Sequence, residues 1–211
     1  MGSWEFTVTP DGWVAFLDPA ERAALLDVVD DVLELLADRG PMAGLDDAAA
    51  MQGLDLTLED GPVAPPADPA LHRLLPDGSR ADPSVAAEFR RYTEGELRTR
   101  KAENLVVLGR MLAAGGRAVR LHPSDAPAVA AALTDLRLVL AERLGIRTEA
   151  DADAAYRLVV SGGPLDVTDP DGVARRFLAT VSTLLGVLQE SLVSLMLDQL
   201  PGDLPMDDAA G

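Results

Sequence analysis

The sequence predicts a mainly α chain, a helical bundle with a small antiparallel β-sheet formed by an N-terminal hairpin and one later strand. Three observations carry that expectation. Apolar residues recur at three- and four-residue spacing through several long stretches, which places them on one face of a helix. Two β-rich runs flank Thr9-Pro10-Asp11-Gly12, where proline presets φ and Asp-Gly accepts a positive φ, as a hairpin turn requires. A strand-to-helix pattern then occurs twice, 104 residues apart: Leu17-Asp18-Pro19 and Leu121-His122-Pro123.

The hairpin is expected over residues 4–8 and 13–17. A helix follows, with Asp18 as N-cap, Pro19 at the first helical position and Glu21 at the capping-box position. Leu25, Leu26, Val29, Val32, Leu33 and Leu36 form its buried face, and Gly40-Pro41 ends it. A short helix fits residues 45–52. Residues 60–69 hold four prolines and read as an extended loop inside the domain. One helical turn fits residues 71–75. Asp82-Pro83 opens a long helix to about residue 114, closed by Gly115-Gly116, and residues 118–121 read as the third strand. Helices are expected over 124–144, 149–160 and 171–200. In domain terms, residues 1–200 form one α-rich domain and 201–211 an acidic, disordered tail.

The repeated unit extends past the strand ends. At the same offset Ala24 meets Ala128, Asp31 meets Asp135, Leu36-Ala37 meets Leu140-Ala141, and Arg39 meets Arg143. A unit used twice predicts that residues 117–121 bond through their backbone to the hairpin, with the two helices as neighbours.

Composition removes many functions. The chain has 211 residues, no cysteine and a formal charge of -17, from 18 basic and 35 acidic residues. Thiol chemistry is absent, and so is the positive field that an unpatterned grip on nucleic acid or anionic lipid needs. No basic and apolar leader opens the chain, and the apolar run of residues 177–200 is interrupted by Ser182, Thr183, Gln189, Glu190, Ser191 and Asp198. A cytoplasmic protein without membrane spans is the expectation. The two histidines, His72 and His122, lack metal-ligand spacing, and no nucleophile elbow or phosphate loop occurs. No catalytic, cofactor or metal residue is assigned, and the chain is expected not to be an enzyme.

Charge is uneven. Residues 1–80 carry net -12, residues 81–120 net +3 and residues 121–211 net -8. The positive segment is the long central helix and its exit. Its arginines either pair with Glu88, Glu94, Glu103 and the acidic first third, or form a partner surface. On the second reading Arg90, Arg91, Arg98 and Lys101 are the partner-binding candidates, each offering charge-assisted hydrogen bonds to an acidic partner. In the last helix Phe177, Val181, Leu184, Leu188 and Leu192 share a face that serves either the core or a homodimer through the C-terminal helix.

Several blocks also carry a resemblance. They are Asp68-Pro69-Ala70-Leu71-His72-Arg73-Leu74-Leu75-Pro76-Asp77, then Asp82-Pro83, Glu88-Phe89-Arg90-Arg91-Tyr92-Thr93-Glu94, Leu97-Arg98, Lys101 and Asn104. Leu133-Thr134-Asp135-Leu136-Arg137-Leu138, Arg143-Leu144-Gly145 and Leu188-Gln189-Glu190-Ser191-Leu192 complete them. Their order and spacing resemble the actinobacterial domain-of-unknown-function family that includes the AosR-type oxidative-stress transcriptional regulators. The resemblance implies a non-enzymatic regulator of transcription and stress response, acting by contact with RNA polymerase or a sigma factor. Thiol redox sensing does not carry over to a chain without cysteine. The alternative is an interaction adaptor in another pathway, such as Clp-linked proteolysis.

Overall fold

The computed structural model of the chain describes residues 4–38, 63–79, 81–161 and 168–199. Among them are three strands and six α-helices: β1 (Thr7–Thr9), β2 (Gly12–Phe16), α1 (Pro19–Ala37), α2 (Pro69–Leu74), α3 (Pro83–Ala113), β3 (Ala118–Leu121), α4 (Ala126–Leu144), α5 (Glu149–Val160) and α6 (Pro170–Asp198). The fold is mainly α with one small sheet, as the sequence predicts. The expected helix at residues 45–52 and the tail at 201–211 lie outside the described residues.

The sheet is antiparallel, in the order β1-β2-β3. Gly12 turns the hairpin with φ of 120°, and a Cβ there would lie 2.8 Å from the Leu121 carbonyl oxygen. Only glycine meets both conditions without strain. Trp13 faces Leu121 and Ala15 faces Val119 across β2 and β3, and the Leu17 amide donates to the Arg117 carbonyl at 3.0 Å. The expected backbone link between the hairpin and residues 117–121 is therefore present. β1 starts later than expected because the Phe6 amide donates to Ser191 Oγ on α6, at 2.9 Å, and so is not committed to a strand ladder.

Four helices open on the same chemistry. Asp18, Asp68, Asp82 and Asp169 each accept backbone N–H groups of the first turn, and each is followed by proline. The carboxylate satisfies donors with no intrahelical partner, and proline has no N–H to orphan. At Asp68 this extends the expected turn of residues 71–75 back to Pro69. At α1 the capping box is complete: Glu21 accepts from the Asp18 amide at 2.7 Å and from Trp4 Nε1 at 2.9 Å. Thr148 and Asp151 form the equivalent box for α5. Gly145, with φ of 71°, ends α4.

α4 is the central helix and touches α1, α2, α3 and α6. Its Val129, Ala132, Leu133, Leu136 and Leu140 are buried, facing Leu25, Val29 and Val32 of α1, Leu105 and Leu108 of α3, and Leu184, Leu185, Leu188 and Leu192 of α6 in one core cluster. Each such leucine contributes about 1.5–3 kcal/mol by leaving water. Of the face expected on the last helix, Val181, Leu184, Leu188 and Leu192 are buried, whereas Phe177 stays half-exposed. α6 is the one described helix long and apolar enough by length and composition to cross a membrane, and its apolar stripe packs chiefly on α4.

Candidate protein-contact surface

Local chemistry first decides which arginines remain available. Arg90 is buried on α3, where its guanidinium donates to the Asp77 carboxylate and the Val63 carbonyl, with Glu94 at 3.8 Å. Arg98 is buried too. The Lys101 ammonium donates to Asp135 on α4 at 2.5 Å, with both side chains mostly covered. Burial pushes the Asp135 carboxyl up, and the Lys101 hydrogen bond and charge pull it partly back. Of the four candidates, Arg91 alone is exposed; its guanidinium lies 4.6 Å above the Tyr92 ring and donates to the Tyr92 hydroxyl. Of the two readings of these cations, internal pairing describes Arg90 and Lys101, and Arg91 keeps an exposed guanidinium. Arg90, Arg98 and Lys101 point inward because their helix packs against the α2 loop and α4, which sequence spacing along one helix does not reveal.

A second polar cluster ties α2 to α4. Glu142 is almost fully covered and accepts from Arg73 Nε at 3.0 Å and from Arg147. Arg143 donates to Asp68 at 2.7 Å, and its hydrogen bond holds the Asp68 carboxyl below the usual range. His72 Nε2 lies 3.3 Å from Asp77, whose carboxyl the Arg90 hydrogen bond also lowers. The cleft above them has a volume of about 450 Å³. Every cation lining it already meets a carboxylate, and the described lining includes no hydroxyl or thiol nucleophile.

A cleft between α4, α5 and α6, of about 390 Å³, has an apolar floor that includes Ala141, Ile146, Ala155 and Ala179. Its polar edge is closed on itself: Arg137 donates to Gln189 at 2.5 Å and Gln189 donates to Thr134 at 2.6 Å. Among the described residues no cluster of three His, Asp or Glu side chains could hold a metal ion.

A further group of exposed cations lies at the other end of α3. Arg22, buried on α1, donates to the Leu112 carbonyl at 3.0 Å and to the Gly116 carbonyl, and so fixes the turn from α3 into β3. That turn sets Arg110 of α3 beside Arg120 of β3. Both line a cleft of about 490 Å³ with His122, over an apolar floor of Val107, Met111 and Leu121. Arg110, Arg117 and Arg120 are exposed, and no described carboxylate lies within ion-pair distance of them. Asp11 and Asp125 sit on the cleft rim. Phe16, half-exposed at the end of β2, adds an apolar contact nearby, since it pairs with Ala118 two residues from Arg120. Sequence reasoning counted these arginines within the positive segment but did not select them. Their signal was position after the last acid of that segment, Glu103.

A family model described as a domain of unknown function, DUF2017, matches residues 1–196. No curated protein and no solved structure matches the chain.

Proposed function

The chain belongs to the DUF2017 family, and from that premise we propose that it is a non-enzymatic regulator acting by protein contact with the transcription machinery, through RNA polymerase or a sigma factor. The resemblance to AosR-type regulators supplies the class of partner. The observation that carries the contact is the cleft at the end of α3. In a chain of charge -17, Arg110 and Arg120 stand exposed around an apolar floor without a described carboxylate to neutralise them, and Arg117 is exposed on the turn before Arg120. Two guanidiniums over apolar side chains suit an acidic protein segment that carries a hydrophobic anchor. The strongly negative body opposes a nucleic-acid backbone as the alternative anion.

The test is capture of polymerase and sigma subunits from an actinobacterial lysate by the wild-type protein and by the Arg110→Glu, Arg120→Glu variant. Both side chains are exposed, so helical content and melting should be unchanged. Charge reversal should lower recovery roughly tenfold or more, through steering and lost ion pairs. Equal recovery by both proteins discards this surface, and recovery of no such subunit by the wild type discards the regulator reading. An adaptor in Clp-linked proteolysis predicts a different captured partner.

A further inference from the structure

The cleft between α4, α5 and α6 is open because α5 is held chiefly by α6. Ala155 is the one buried residue of α5, and it packs in a small cluster of its own with Leu144 and Ala179. The space beside that cluster, about 390 Å³, is within the range of small-molecule sites. Its floor is apolar, and Arg137 is the one charged residue among its described lining.

Three polar groups on that lining have hydrogen-bonding positions left over. Arg137 donates from Nη1 to Gln189, and no described group accepts from its Nε and Nη2. Those two nitrogens form the edge with which a guanidinium grips a carboxylate through parallel hydrogen bonds. The Ser182 hydroxyl has no described partner, whereas Thr180 and Thr183 of the same helix each donate to the carbonyl four residues earlier. Nor does the hydroxyl of Tyr156, whose half-exposed ring also lines the cleft.

We propose that this cleft binds a small monocarboxylic acid with an apolar body, its carboxylate on Arg137 and its body over Ile146, Ala155 and Ala179. Charge selects the occupant. One guanidinium neutralises one carboxylate, whereas a phosphate or a dicarboxylate brings a second negative charge to a chain of -17. A neutral apolar molecule would cover the open edge of Arg137 and give it no acceptor, which costs free energy. The other clefts differ: Arg73 and Arg147 already meet Glu142, and Arg110 and Arg120 present two charges together. This cleft shares no described lining residue with either of those, so the proposal does not rest on the transcription reading.

The probes are octanoate and phenylbutyrate, each compared with the alcohol of the same skeleton by calorimetry on the full chain. An acid should bind saturably, at a single site, and at least about tenfold more tightly than its alcohol, the difference being the charge-assisted pair. Arg137→Gln, at an exposed position, should remove that difference and leave the affinity for the alcohol unchanged. Ala152→Phe, also exposed, fills the cleft and should abolish binding of acid and alcohol alike, with helical content unchanged. In isotopically labelled protein, amide shifts on titration with the acid should gather around Arg137, Ala155 and Ser182. The proposal is overturned by no saturable binding of either acid, by equal affinity for acid and alcohol, or by wild-type affinity in Arg137→Gln. Shifts gathered at Arg110 and Arg120 instead also overturn it.

Discussion

At the scale of single residues, the blocks that carry the family resemblance are largely internal clamps. Asp68 caps α2 and binds Arg143, Arg90 binds Asp77, Lys101 binds Asp135, and Gln189 and Ser191 join α6 to α4 and to the strand entry. These clamps give the protein a defined response to acid. Asp68 and Asp77 are lowered chiefly by arginine hydrogen bonds, Asp82 by Ser84, and Asp151 by the Arg147 amide. A carboxyl lowered in the folded state contributes stability that is present above its ordinary value of 3.8 and lost as pH falls through the folded value. Asp135 has the opposite sign: its raised value makes the ionised form costly, and acidification relieves that cost. Melting temperature should therefore fall below the ordinary value, less steeply in Asp68→Asn and more steeply in Asp135→Asn. Melts of the three proteins from neutral pH into acid check this, and parallel profiles would refute it.

Among the elements, what could be read in advance followed from local chemistry. The Asp-Pro starts, the Thr9-Pro10-Asp11-Gly12 turn and the paired strand–helix units need no distant partner to be recognised. The repeat gains geometric support from the sheet. Ala15 and Val119, equivalent at the offset of 104, stand directly opposite each other in β2 and β3. The two units are thus arranged around a pseudo-two-fold axis at that pair, with α1 and α4 in contact. β1 was less legible because its first residues answer to Ser191, 185 positions away from Phe6. The arrangement makes Gly12 a sensitive position. Gly12→Ala meets both the positive φ and the Leu121 carbonyl, and should destabilise by more than about 1 kcal/mol, whereas Gly95→Ala, on an open helix face, should stabilise by up to about 1 kcal/mol. Urea unfolding of both variants measures the difference, and equal midpoints would contradict the close approach at the hairpin.

Over the whole molecule, the site was the less legible part because net charge along a segment does not say which charges face inward. The +3 of residues 81–120 is real, yet Arg90 and Lys101 meet carboxylates across tertiary contacts, and Arg110 and Arg120 stand exposed together at the exit of α3. The remaining surface is dominated by the excess of acids. Two opposite responses to salt follow from that separation. Screening weakens the self-repulsion of a chain at -17 and should raise the melting temperature as sodium chloride is added. The same screening removes the attraction between the Arg110 and Arg120 cleft and an acidic partner, so capture should fall while the fold gains stability. Melting and capture followed across one salt series separate the two. If capture and melting temperature fell together, loss of fold would explain the loss of binding, and the basic cleft would have no separate part in it.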